Sequence, residues 1–191
     1  MSLRWLPNAI SIMRIFLVAP ILYYIVDEQY GLALLLFFIA GFSDGVDGYL
    51  AKTFDWHTRI GALLDPIADK LLVGGVFVTM FVTGMVPPWL AILVIVRDVV
   101  IVGGATAYNF LVRPVEGEPT RISKLNTALQ LLFVVFVLSH AGFGWPDPIA
   151  ITIIGAGVLV TIVVSGIDYV VSWARRASEA RDAANRGAGE S

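Results

Sequence analysis

The chain has 191 residues, of which 58% are hydrophobic and 15% charged, and its mean hydropathy is +0.82. A soluble domain has an apolar share of about 45 to 50%, so this composition excludes a water-soluble globule and places the chain in a membrane. The net charge of -2 gives no basis for nucleic-acid binding, and the absence of cysteine removes disulfides and thiolate metal sites.

A membrane-crossing helix takes about 20 apolar residues. In chain order, six such spans are expected at 8–26, 31–52, 60–83, 88–112, 121–140 and 148–172. The first apolar run, Ala9 to Val26, is too long for the core of a signal peptide. It contains Arg14 and Pro20 and meets Asp27-Glu28 without a small-residue cleavage pattern, so it is expected to remain as the first span. Stop signals separate the spans at Asp27 to Gln29, Gly84 to Pro88, Pro114 to Pro119 and Gly142 to Pro148. The expected fold is all-α: one bundle of six transmembrane helices over residues 1–173, then a polar tail, 174–191, that reads as a frayed helix end or disorder. The connections near 27–30, 84–88 and 141–147 contain no Lys or Arg, whereas the opposite ends hold Arg4, Lys52, Arg59, Arg113, Arg121 and Lys124. Excess positive charge marks the cytoplasmic side, so both termini are expected there.

The second and third spans contain four aspartates, Asp44, Asp47, Asp65 and Asp69. Each costs roughly 2.5 to 3.5 kcal/mol on insertion scales, which makes intramembrane carboxylates functional candidates. Asp44 and Asp47 are spaced i, i+3, and Asp65 and Asp69 are spaced i, i+4, so each pair shares a helix face. At about 1.5 Å per residue, both pairs fall roughly 8 to 15 Å inside the cytoplasmic boundary and face each other at one level. Gly45, Gly48 and Ala51 on one helix, with Gly61 and Ala62 on the other, either permit close approach or leave room for a ligand. Pro66 is expected to bend the third span beside Asp65.

Four clustered carboxylates stay ionised only if cations compensate them. Two divalent ions would do so, and an oxygen-only donor set suits Mg²⁺ or Mn²⁺. Paired metals clamp the oxygens of a phosphoryl displacement. The plainer reading is that these aspartates pair with Lys52, Lys70, Arg14 or Arg97.

The fourth and fifth spans carry a second polar cluster: Arg97-Asp98, then Arg121, Ser123, Lys124, Asn126, Thr127 and Gln130. Arg97 and Lys124 are expected to form an anion site; the alternative is positive-inside anchoring with a structural Arg97–Asp98 pair. Asn8, Ser11 and Arg14 recur at helical spacing on the first span, where helix capping by Asn8 and snorkelling by Arg14 compete with a binding role. His57 is expected at the interface, and Gly74-Gly75 and Gly103-Gly104 in helix packing or a dimer contact.

The run Asp44-Gly-Val-Asp47-Gly48-Tyr-Leu-Ala51-Lys52, eight residues, Gly61, three residues, Asp65, three residues, Asp69 resembles the signature of the CDP-alcohol phosphotransferases. Every fixed position agrees except Lys52, where the family has Arg; lysine keeps the charge but lacks the planar fork. The resemblance implies that Asp44, Asp47 and Asp65 bind two Mg²⁺ ions, with Asp69 a further ligand and the general base. It implies that Gly48, Ala51, Lys52 and Thr58 border the cytidine diphosphate of the substrate, and that Asn8, Ser11 and Arg14 touch its diphosphate or nucleotide. The implied reaction is attack by an alcohol on the phosphate bearing diacylglycerol, with release of CMP, in a homodimer. Arg97-Asp98-Val and the segment Ser123-Lys124-Leu-Asn126-Thr127-Ala-Leu-Gln130 look like the eukaryotic-type cardiolipin synthases within that family. Phosphatidylglycerophosphate synthases usually carry a second lysine where Asn126 stands, so the resemblance implies a phosphodiester acceptor, phosphatidylglycerol, with glycerol 3-phosphate, the acceptor of a phosphatidylglycerophosphate synthase, as the alternative. The acceptor is then expected near Arg97, Arg121, Lys124 and Asn126. A cation transporter would need polar access from both faces, whereas here the strongly polar residues crowd into one half. The short N-terminus leans toward a bacterial inner membrane.

Overall fold

The computed structural model describes residues 6–54, 61–111 and 121–189. They form six helices, α1 (Leu6–Val26), α2 (Tyr30–Phe54), α3 (Gly61–Val82), α4 (Pro88–Leu111), α5 (Arg121–Phe143) and α6 (Pro148–Gly189). Their starts and stops follow the expected breaks closely. Gly84 and Gly144, just beyond α3 and α5, take positive φ values of 74° and 71° that favour glycine after a helix end.

The tail, read as a frayed helix end or disorder, continues α6, which runs as one helix of 42 residues. Its Ala, Arg and Glu content consists of strong helix formers. At about 1.5 Å per residue it is some 60 Å long, twice the thickness of a hydrocarbon core of about 30 Å.

Among the described residues, three stretches suffice by length and composition to cross a membrane: Asn8–Val26 in α1, Ile122–Phe143 in α5 and Pro148–Asp168 in α6. The apolar part of α2, Tyr30–Val46, is shorter. Charged residues interrupt the other helices, Asp44 and Asp47 in α2, Asp65, Asp69 and Lys70 in α3, and Arg97 and Asp98 in α4. Large apolar side chains point outward on several helices, Phe16 and Phe42 being 74% and 76% exposed. That is the surface a lipid phase covers, and the chain is an integral membrane protein.

The helices close a ring. α1 packs on α2, α2 on α5, α5 on α6, α6 on α4, α4 on α3 and α3 back on α1, with α3 also touching α5 across the middle. In the half of the ring holding the α1–α2 and α3–α4 turns, the interior is apolar, with Ile25, Phe37, Met80, Leu90 and Leu138 all buried. Phe77 of α3 stacks on Phe133 of α5 there, with centroids 5.9 Å apart and planes 15° apart. Gly142 at the end of α5 approaches the start of α2 so closely that an added Cβ would meet Gly31 N and Tyr30 Cβ at 3.3 Å. The other half has a polar interior: Ser11, Arg14, Arg97, Asp98, Ser123, Asn126, Gln130 and Ser165 are all buried.

Candidate active site

α1 lies against both α2 and α3, so its one polar face meets the aspartates of both neighbours. Ser11 and Arg14 stand three residues apart on that face, and both are fully buried. The Arg14 Nη1 atom forms an ion pair with Asp44 Oδ1 of α2 at 2.6 Å and donates to Asp69 Oδ1 of α3 at 2.6 Å. Two carboxylate oxygens at that distance from one nitrogen are separated by at most twice that length. One turn away, Ser11 Oγ donates to Asp65 Oδ1 at 2.5 Å. Thus three of the four expected aspartates come to one level, gathered by α1. Asn8 is half-buried one turn before Ser11.

A buried guanidinium is tolerable only where its charge and its donors are met. Arg14 therefore does not snorkel; it turns inward and forms the ion pairs. The Asp44 and Asp69 side chains are 48% exposed, so each keeps oxygen surface open to a ligand. Beside them, a Cβ added at Gly41, Gly45 or Gly48 would meet nothing within 4 Å among the described residues. Among the described residues these glycines of α2 have open space beside them. Gly75 behaves oppositely, since its added Cβ would meet Leu22 of α1 at 3.3 Å, while Gly74 and Gly103 are open.

The Asp47, Ala51, Lys52, Pro66 and Arg121 side chains, and Thr58 and His57 altogether, lie outside the described residues. Among the described residues no group of three acidic or histidine side chains stands close enough to hold an ion. The guanidinium of Arg14 is what occupies the space between Asp44 and Asp69. Carboxylate oxygen is nonetheless the donor that Mg²⁺ and Mn²⁺ take, and the half-exposed pair on Arg14 fits such a cation.

Asp69 and Lys70 are adjacent and turn to opposite neighbours. Lys70 Nζ reaches Asp98 Oδ1 of α4 at 2.7 Å, and Arg97 Nη1 donates to the same oxygen at 2.8 Å. Arg97 Nη2 donates to Ser123 Oγ of α5 at 2.7 Å and to Ser165 Oγ of α6 at 3.2 Å. Deeper along α5, Asn126 accepts from Thr161 Oγ1 of α6 at 2.9 Å. Arg97 Nε, Asn126 Nδ2 and Gln130 Nε2 have no partner among the described residues.

The expected Arg97–Lys124 anion mouth is rearranged. Lys124 is exposed, while its neighbour Ser123 turns inward to Arg97. Thr161 and Ser165 belong to no charge cluster or motif of the sequence. Their signal is an i, i+4 spacing of hydroxyls, which reads equally as ordinary helix packing.

Residues 4–168 match the model of the CDP-alcohol phosphatidyltransferase family. A human cardiolipin synthase (CMP-forming) is 31% identical over 181 residues, covering 86% of this chain and 60% of the relative. A CDP-diacylglycerol–glycerol-3-phosphate 3-phosphatidyltransferase from Rickettsia typhi is 33% identical over 170 residues, covering 86% of this chain and 94% of the relative. A chloroplastic enzyme of the latter name from rice is 32% identical over 186 residues, covering 88% of this chain and 56% of the relative. The chain thus spans about 60% of the length of the human relative. The family match runs from ahead of α1 to Asp168 and takes in every residue of both clusters, so the chain belongs to the CDP-alcohol phosphatidyltransferase family.

Proposed function

We propose that the protein transfers the phosphatidyl group of CDP-diacylglycerol to an alcohol with release of CMP, and that the alcohol is phosphatidylglycerol, giving cardiolipin. The observation that carries the transfer is the convergence of Asp44, Asp65 and Asp69 from α2 and α3 onto Ser11 and Arg14 of α1. The family is generally divalent-metal dependent. Asp44, Asp47, Asp65 and Asp69 would hold the metal, two Mg²⁺ ions with Mn²⁺ as a substitute. Bound there, the metal would offset charge on the diphosphate and on the departing CMP.

The chain's own residues do the rest. Asp69 accepts the proton of the acceptor hydroxyl. The hydroxyl oxygen bonds to the phosphorus bearing diacylglycerol while the bond from that phosphorus to CMP breaks, and CMP leaves with the electron pair. The chain has no cysteine, and among the described residues no Ser-His pair suggests a covalent intermediate. Gly48, in open space, with Ala51, Lys52 and Thr58, borders the cytidine diphosphate.

Acceptor choice belongs to the second cluster. Lys70 and Arg97 share Asp98, so the trio keeps a single net positive charge. That matches a phosphodiester such as phosphatidylglycerol better than the more highly charged monoester of glycerol 3-phosphate. With Lys124 turned outward, no further described cation adds to it. The second reading, phosphatidylglycerophosphate synthase, is favoured by the rickettsial relative that this chain covers almost end to end.

The remaining helices, α2, α3 and α4, complete six spans, with both termini and the active site facing the cytoplasm of a bacterial inner membrane, in a homodimer. Purified protein with CDP-diacylglycerol and Mg²⁺, offered labelled phosphatidylglycerol or labelled glycerol 3-phosphate in turn, tests the acceptor. Label is expected in cardiolipin from phosphatidylglycerol. Use of glycerol 3-phosphate with phosphatidylglycerol ignored would sink this choice.

A further inference from the structure

Arg14 is fully buried, yet its Nη1 atom stands 2.6 Å from an oxygen of Asp44 and 2.6 Å from an oxygen of Asp69. Those two carboxylates are half-exposed and come from different helices. One guanidinium thereby balances part of the negative charge of two carboxylates that would otherwise repel each other across α2 and α3. Asp65 is supported differently, by the hydroxyl of Ser11, which contributes a hydrogen bond and no charge.

We propose that Arg14 is a built-in counter-ion that competes with a divalent cation for Asp44 and Asp69, so that metal loading requires its guanidinium to leave the point between them. This rests on the reading of the aspartates as metal ligands. A cation attracted to the same two oxygens meets the positive charge of Arg14 at close range, and both charges together are disfavoured in a medium of low dielectric. The geometry accounts for two needs at once. Without metal, the helices α1, α2 and α3 are tied at the site rather than pushed apart. With metal, the pair is already in register, and Arg14 sets how much cation is needed to load it. Arg14 is a positioning residue in this account.

The test uses the full chain purified in detergent and stripped with EDTA, titrated with Mn²⁺ alone while free Mn²⁺ is followed by electron paramagnetic resonance. Asp44→Asn is expected to weaken binding tenfold or more. Arg14→Met is expected to bind Mn²⁺ at least fivefold more tightly than the unaltered protein. Its thermal midpoint is expected to fall in EDTA and to recover with Mn²⁺, so that the metal-induced shift widens. Unchanged or weaker Mn²⁺ binding by Arg14→Met, with the midpoint lowered equally in both conditions, marks a structural arginine and overturns the proposal. Absence of Asp44-dependent binding in the unaltered protein removes the metal reading itself, and the proposal with it. If Arg14→Met does not fold, guanidinium nitrogen resonances of the unaltered protein, assigned by comparison with Arg14→Lys, are followed through a Mg²⁺ titration. The Arg14 signal is expected to move with saturation, and a signal that stays fixed overturns the proposal.

Discussion

A guanidinium with no exposure is stable only where its charge is met, and Arg14 meets its charge on two carboxylates that the same arrangement keeps half-open. Asp69 is the residue on which the chemistry of the proposed transfer turns, because it faces Arg14 on one side and adjoins Lys70, which leads to the acceptor cluster, on the other. Asp69→Ala is therefore expected to lower CMP release by about 100-fold to 10,000-fold, the range of a general base, while the protein stays folded. Release within a few-fold of the unaltered rate would remove Asp69 from that role. The spacing of Asp44, Asp65 and Asp69 was enough to place them at one level, since carboxylates at helical intervals in apolar helices have few alternatives. Arg14 was less legible, because an arginine near a helix start reads as snorkelling or as binding until its neighbours across the helix interface are known. The charge of Lys124 draws attention, but one residue of helix rotation separates an exposed lysine from Ser123, whose hydroxyl is the group that meets Arg97.

Helix pairs differ in how much tolerance they have. Where α6 crosses α5, a Cβ added at Gly155 would meet the Phe133 ring at 3.1 Å. That ring is backed by Phe77 of α3, so it has little freedom to retreat. Overpacking of this kind costs about 1 to 3 kcal/mol, and Gly155→Leu is expected to lower the thermal midpoint of the purified protein. Gly74→Ala, on open surface of α3, is the control and is expected to be neutral or to gain up to about 1 kcal/mol from helix propensity. Equal midpoints for the two variants would show that Phe133 is not fixed as the stack implies. Helix bounds were legible because apolar run length and Gly or Pro breaks determine them locally. The continuation of α6 to Gly189 was not, since an Ala, Arg and Glu sequence is equally compatible with helix and with a solvated tail.

Across the whole molecule, the ring of helices separates two kinds of interior. One half is sealed by aliphatic and aromatic packing, and the other is threaded by charge and hydroxyl contacts from Asp44 on α2 through Arg14, Asp69, Lys70, Asp98 and Arg97 to Ser123 and Ser165. The closed order of the ring follows from tertiary packing and has no local signature. It is this order that brings the signature aspartates to α1 and gathers the Arg97 cluster from α4, α5 and α6, so that under the proposed function donor and acceptor are expected to meet at the Asp69–Lys70 step of α3. The most direct test of this account is the molar ratio of CMP released to cardiolipin formed when the purified chain is given CDP-diacylglycerol, phosphatidylglycerol and Mg²⁺. A ratio of one to one, with both products abolished by EDTA, is the expected result. Cardiolipin formed without CMP, or no CMP released with any acceptor alcohol, would contradict it.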